Sequence, residues 1–264
     1  MKKTYTIFAL LLTSVLFAQE APQRPYLGGE LYSLDSWLYG KIEVRMKTAK
    51  GSGILSTFFT YKYGSEKKNI FWEEIDIEVF GKNGGKTWQS NILTDQPTGT
   101  EEIHKEFYSF ADQFHVYTLE WKPGMVKWKV DGKTVRTEKG LKASQLKEPQ
   151  SFRFNLWAAY AEGWVGRFDD SVLPVYQYVD YIKYYRLEDD KFVFDWEDQF
   201  SNFDNKRWAK ANWTFNENRV QFSPDNVNIK NGFLVLSLTK TDKYVAPTVT
   251  SEVEEEVDEE VKEE

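Results

Sequence analysis

The chain predicts an all-β fold, two stacked antiparallel sheets in a jelly-roll sandwich, and three observations carry that expectation. Apolar and polar residues alternate with period 2 through most of Tyr26 to Lys240, the period of strands with one face in a core. Compact turn signals cut the alternation into short pieces: Gly81-Lys82-Asn83-Gly84-Gly85, Lys122-Pro123-Gly124 and Asp131-Gly132. Helical periodicity is almost absent and no repeat is visible, so an α/β domain or a solenoid does not fit.

In chain order, Tyr39 to Met46, Ile54 to Tyr61 and Trp72 to Phe80 read as strands, and Thr87 to Leu93 returns after the glycine-rich turn. Phe114 to Trp121, Val126 to Val130 and Thr134 to Thr137 form a meander, joined by the Pro-Gly and Asp-Gly turns. Ala143 to Leu146 reads as a helical turn. Ser151 to Trp157, Tyr176 to Arg186, Phe192 to Trp196, Trp213 to Phe222 and Phe233 to Leu238 complete the strands. The charged connector Glu188 to Lys191 is a possible domain boundary, but Phe192 to Leu238 is too short for a core of its own. Those strands therefore belong to the same sandwich.

Charge and composition narrow the function classes. The net charge is −7, yet residues 251 to 264 hold nine acids and one lysine, so the rest of the chain carries +1. No nucleic-acid-binding surface is expected. Residues 1–18 read as a signal peptide, with Lys2 and Lys3 before the apolar run Thr6 to Phe17 and Ala18 as the cleavage point; that run is too short for a comfortable membrane span. The protein is expected to be secreted, not membrane-bound, with one domain over 19–242 and a disordered acidic tail over 243–264. With no cysteine, disulfides and thiol chemistry are excluded. Aromatic residues make up 17% of the chain, more flat amphipathic surface than a core of this size needs, and such rings dock sugar C–H faces.

The most telling segment is Trp72-Glu73-Glu74-Ile75-Asp76-Ile77-Glu78-Val79. On a strand, Glu74, Asp76 and Glu78 share one face with Trp72, while Ile75, Ile77 and Val79 face the core. Three neighbouring acids repel one another and add nothing to a fold. Glycoside hydrolysis needs two carboxyl groups, one ionised and one protonated, and crowded carboxylates retain a proton near neutral pH. Glu74 and Glu78 are the natural pair, with Asp76 hydrogen-bonded to Glu74. From spacing alone, an acidic calcium site and an inert solvated face also remain open.

The residues around this motif resemble a known family. Gly40 to Lys47, Phe58-Phe59-Thr60-Tyr61, Trp72 through Gly81, Gln89-Ser90-Asn91, His115 to Lys129, Val130-Asp131-Gly132 and Asn155-Leu156-Trp157 are similar to the bacterial 1,3-1,4-β-D-glucanases (lichenases) of glycoside hydrolase family 16. The resemblance implies a concanavalin A-like sandwich and an endo-acting, retaining hydrolase of mixed-linkage β-glucan, with other β-glucans or xyloglucan as the runner-up substrates. A non-catalytic glucan-binding module is the alternative from another class. Phe200 to Thr239 resembles a segment found at the amino terminus of most members, which implies a circular permutation with Glu188 to Lys191 as the join.

The resemblance further implies Glu74 as nucleophile, Asp76 as its partner and Glu78 as general acid and base. It places Glu30, Phe59, Tyr61, Gln89, Asn91, Arg153, Asn155, Trp157, Trp213 and Arg219 in the substrate cleft, with Trp164 near its rim. The single residue Ile77 between Asp76 and Glu78 is the lichenase and xyloglucan-active spacing. No cofactor is expected for the chemistry. A structural calcium ion is implied, with Asp180 and a backbone oxygen such as that of Gly232 as ligands. A monomer with a β-glucan polysaccharide as its partner is expected. Two departures stand out: Tyr63 occupies a position where a permuted relative has a small amide, and the loop Glu66-Lys67-Lys68-Asn69 lacks the usual Gly and Asp. His104 and His115 show no triad spacing, and His115 reads as a hydrogen-bonded strand residue.

Overall fold

The computed structural model describes residues 23–95 and 100–243. The predicted signal peptide and most of the acidic tail lie outside the described residues. Sixteen strands form in chain order: β1 (Tyr26–Ser33), β2 (Gly40–Lys47), β3 (Ile54–Tyr61), β4 (Glu73–Phe80), β5 (Thr87–Thr94), β6 (Glu102–Lys105), β7 (His115–Lys122), β8 (Met125–Val130), β9 (Lys133–Glu138), β10 (Ser151–Ala158), β11 (Val175–Glu188), β12 (Lys191–Asp198), β13 (Trp208–Lys210), β14 (Val220–Phe222), β15 (Val227–Lys230) and β16 (Phe233–Lys240). Two short helices, α1 (Leu141–Gln145) and α2 (Glu162–Val165), sit between them. Among the described residues no helix is long and apolar enough to cross a membrane.

The hydrogen-bonded path runs β6-β5-β4-β3-β10-β1-β16-β11-β2-β7-β8-β9. Its hinge is narrow, because β1 and β16 share only the pairs Tyr26 with Lys240 and Leu27 with Thr239. The path therefore divides into a cleft sheet, β6 to β1, and a back sheet, β16 to β9. Inward residues of both sheets build one core: Ile75, Ile77 and Val79 of β4 join Val44 and Met46 of β2 and Leu119 of β7, all buried. The sheets also touch through polar groups, since the buried Trp128 indole N–H donates to the backbone oxygen of Asp76 at 3.0 Å. Strands on the far side of Glu188 to Lys191 pair directly with β11 and contribute Leu234, Leu236 and Leu238 to the same core.

Several elements differ from the sequence expectation. Tyr26 to Ser33, which is not among the strands expected from sequence, is a central strand that contains the pair Gly28-Gly29. A Cβ at Gly28 would lie 2.5 Å from the Leu156 carbonyl oxygen and one at Gly29 2.5 Å from that of Asn226, so close backbone approach requires both glycines. Trp213 to Phe222 is not one strand; Val220–Phe222 pairs in parallel with β1, Asn218 makes a single antiparallel bridge to Ala159, and the residues before them form a loop. Glu102–Lys105 and Val227–Lys230 are additional short strands, and the helical turn begins earlier, at Leu141.

Candidate active site

Register lays the predicted residues out in rows across the cleft sheet. Glu74 lies between Leu93 of β5 and Tyr61 of β3, and Asp76 between Asn91 and Phe59. Glu78 lies between Gln89 and Thr57. On the next strand Arg153 stands opposite Phe59 and Asn155 opposite Thr57, and Glu30 of β1 completes the last row opposite Asn155. Because period 2 sends every second residue to this face, one set of strand pairings assembles residues from five strands. They line a cleft of about 1000 Å³ that also includes Trp157 and, from the loop after β13, Trp213. Glu73, of opposite parity, stays out of the cleft; its buried carboxylate accepts the backbone N–H groups of Lys147 and Glu148 at 2.7 and 3.0 Å.

The three acids are buried enough for their proton affinities to separate. Burial raises Glu78 to about 8, with the nearby Glu74 charge adding to the effect and the Gln89 hydrogen bond opposing it. Burial pushes Asp76 well above the ordinary carboxylate range, and the charges of Glu74 and Glu78 push it further. Burial raises Glu74 as well, but the hydrogen bond from Asp76, the Trp72 indole and the Arg153 charge all favour its ionised form. The hydrogen bond therefore runs from a protonated Asp76 to Glu74, the one of the three acids whose partners on every side counter burial, while Glu78 holds its proton at neutral pH. That division is what a carboxylate nucleophile and a carboxylic acid on one strand require.

Fixed donors hold Glu74 and Glu78. Trp72 Nε1 donates to Glu74 Oε2 at 2.7 Å, and Gln89 Nε2 donates to Glu78 Oε2 at 2.7 Å. Gln89 is held in turn by the Trp164 indole N–H, which donates to its Oε1 at 3.1 Å. Sequence reading placed Trp164 only at the rim; its tie to Gln89 spans 75 residues and leaves no local pattern. Further along the cleft, Glu30 accepts from Arg153 and Asn155, each at 3.2 Å, and burial lifts its carboxyl to about 7. Trp157 and Trp213 supply aromatic wall, joined by Phe215, which sequence reading missed because it expected a strand there.

The remaining expectations fall elsewhere. Arg219 does not line the cleft. Its Nε donates to the Ala159 carbonyl at 2.9 Å and its guanidinium reaches Glu162 at 3.3 Å, so it staples the Trp213–Phe215 loop to the end of β10. Asp180 follows the pair Val179 with Leu234, which brings it near the Asn231-Gly232 turn. One carboxylate and a backbone oxygen are donors of the kind calcium takes, although Asp180 accepts a hydrogen bond from Arg45 here. Among the described residues no group of three or more His, Cys, Asp or Glu forms a metal site. His115 pairs with Asp131 at 2.7 Å. His104 meets Ser90 at 2.8 Å, but Ser90 is fully buried and faces away from the cleft.

The sequence profile described as Glycosyl hydrolases family 16 matches residues 6–172. A β-glucanase of Fibrobacter succinogenes is 41% identical over 251 residues, covering 90% of this chain and 72% of its own length. One from Brevibacillus brevis is 36% identical over 166 residues, 62% of each chain. Among solved structures, the Bacillus licheniformis β-glucanase aligns with a TM-score of 0.53 at 31% identity, over 60% of this chain and 77% of that one. A prokaryotic β-1,3-1,4-glucanase (lichenase) derived from a mouse hindgut metagenome gives 0.52 at 28% identity, over 60% and 79%.

Proposed function

The chain belongs to glycosyl hydrolases family 16 and is a glycoside hydrolase, and from that premise we propose that it is a secreted, endo-acting β-glucanase that cuts mixed-linkage 1,3-1,4-β-D-glucan with retention of configuration. The observation that carries this reading is the row Glu74, Asp76, Glu78 along one cleft-facing strand, in which burial and crowding hold protons on Asp76 and Glu78 while the hydrogen bonds and nearby charge at Glu74 favour its anion.

Two displacements account for the reaction. Glu78 gives its proton to the glycosidic oxygen as the bond to the anomeric carbon breaks, and the ionised Glu74 forms an ester with that carbon. The departing half of the glucan leaves with the proton. Glu78, now a carboxylate, removes a proton from a water molecule that attacks the same carbon, and the ester bond breaks to restore Glu74. Asp76 keeps its proton throughout and donates to Glu74, which orients the nucleophile. Arg153, Asn155 and Glu30 offer hydrogen-bond partners to sugar hydroxyls, and Trp157 and Trp213 offer stacking faces.

Substrate preference draws support from strand regularity: β4 keeps an unbroken register with both neighbours through Asp76, Ile77 and Glu78, without the bulge that an extra residue would make. Circular permutation is part of the proposal. The Fibrobacter relative aligns over 90% of this chain, but the Brevibacillus one over only 62%, as expected if a sequential alignment loses a relocated segment. The join would be the β11–β12 hairpin, whose turn residues Asp189 and Asp190 both have positive φ.

The decisive measurement is release of reducing ends from lichenan, laminarin, xyloglucan and carboxymethylcellulose. Lichenan is expected to be cut fastest. Release from laminarin with none from lichenan would overturn the substrate assignment.

A further inference from the structure

We propose that Tyr63 is an outer sugar-stacking platform that extends the substrate site by a glucosyl unit beyond the acid row, and this rests on the β-glucanase reading above. Thr57, Phe59 and Tyr61 face the cleft at every second residue of β3. The backbone bond from Lys62 N–H to the Glu73 oxygen, 2.9 Å, carries the β3–β4 ladder one residue past Tyr61. Tyr63 therefore keeps the parity of the cleft-facing file, and it lines the cleft. Phe59 and Tyr61 are each 8% exposed, whereas Tyr63 is 74% exposed. Its ring thus sits at the cleft end in water, with the Lys67 ammonium 5.4 Å from its centroid.

A lone exposed aromatic is ordinary on a protein surface; what sets this one apart is the rigidity of its support. Gly64, with φ of +85°, reverses the chain directly after it. Tyr61 Oη donates to Glu66 Oε2 at 2.6 Å and accepts the Glu66 backbone N–H at 3.0 Å. Ser65 N–H donates to the Lys62 oxygen at 3.2 Å, and Ser65 Oγ accepts the Glu73 N–H at 3.2 Å. Lys62 Nζ closes the loop on the Phe71 carbonyl at 2.8 Å. A loop backbone so fixed loses little freedom when a ligand docks against Tyr63, so less of the stacking energy is spent on ordering it. The flat apolar face suits the C–H face of a pyranose, and Lys67 can donate to a hydroxyl at its edge.

The test is steady-state kinetics of wild type, Tyr63→Ala and Tyr63→Trp on whichever polysaccharide of the four the wild type cuts, and on oligosaccharides from it of increasing length. Tyr63→Ala is expected to raise KM for the polymer about three- to tenfold, the range of one aromatic contact, with kcat within about twofold. The penalty should shrink as the chain shortens and vanish for the shortest substrate turned over, and Tyr63→Trp should restore KM. An unchanged or lowered KM in Tyr63→Ala, or a loss confined to kcat, overturns the platform while leaving the β-glucanase reading intact. A wild type that cuts none of the four overturns that reading and this inference with it.

Discussion

The side-chain amide of Gln89 donates to Glu78 at 2.7 Å while its own oxygen accepts the Trp164 indole N–H at 3.1 Å. This amide favours the ionised form of the proposed general acid, against burial and the charges of Glu74 and Glu101. Its loss has a definite sign. A general acid works while protonated, so activity falls as pH rises through its pKa, about 8 in this site. Gln89→Leu removes a donor to the carboxylate, raises that pKa and should move the basic limb of the kcat/KM profile upward. Trp164→Phe frees the amide without deleting it and should move the limb less. A basic limb that shifts downward in Gln89→Leu would remove Glu78 as the acid.

Stability should depend on pH through the same burial. Glu30 is raised from the ordinary 4.5 to about 7 and Glu78 to about 8. A carboxyl whose folded pKa lies above its unfolded value binds its proton more tightly when folded. Its stabilising contribution is complete below about pH 4.5 and is lost as pH rises through 7 and 8, at about 1.4 kcal/mol per unit of separation. Thermal melts between pH 5 and 9 should therefore show Tm falling with pH. Glu30→Gln and Glu78→Gln should flatten the fall, each exceeding wild type at pH 8 by several degrees. A wild-type Tm that climbs across this window would contradict the burial argument.

Much of this site was legible because strands write their faces into sequence. The alternation of Glu74, Asp76 and Glu78 against Ile75, Ile77 and Val79 predicts which side each occupies, and β4 obeys it. The meander of β7, β8 and β9 was legible because Pro123-Gly124 and Asp131-Gly132 have turn chemistry of their own. What failed has a common cause: the information is tertiary. The strand Tyr26–Ser33 escapes notice because its Gly28-Gly29 carries no side chains to alternate, and only the Leu156 and Asn226 carbonyl oxygens beside it show why glycine is needed there. The aromatic and polar stretch from Trp213 has strand propensity, yet Phe222 N–H bonds back to the Trp213 oxygen and Tyr160 N–H to Glu217, holding it as a cleft-wall loop. Arg219 matches a cleft position in the family resemblance, and only the contacts with Ala159 and Glu162 reveal a staple.

Calcium at Asp180 remains a proposal with a direct test. The ion would take the Asp180 carboxylate and backbone oxygens at the Asn231-Gly232 turn, displacing the Arg45 contact. Calcium at about a hundred times its Kd would stabilise by about 2.7 kcal/mol. Millimolar calcium should therefore raise Tm relative to chelator-treated protein by several degrees, and Asp180→Ala should abolish the difference. A Tm indifferent to chelator in the wild type would remove the site.

The hydrogen bond between Asp76 and Glu74 gives the sharpest test of the proposed mechanism. Because Asp76 is driven to its protonated form and Glu74 gains as an anion, the pair behaves as donor and acceptor with fixed roles. Asparagine at 76 keeps an N–H donor of similar shape, so Asp76→Asn should lower kcat while KM stays near wild type; a loss confined to KM would make Asp76 a binding residue. Glu74→Ala should lower kcat by about three orders of magnitude or more, since the two other carboxyls of the row, Asp76 and Glu78, hold their protons and leave no carboxylate to form the ester. Azide is small enough to enter the space left by the carboxylate and attack the anomeric carbon from the same side. Added azide should therefore restore turnover and yield a glycosyl azide of inverted configuration. Substantial activity in Glu74→Ala without azide, or an azide product of retained configuration, would transfer the nucleophile's role to another group.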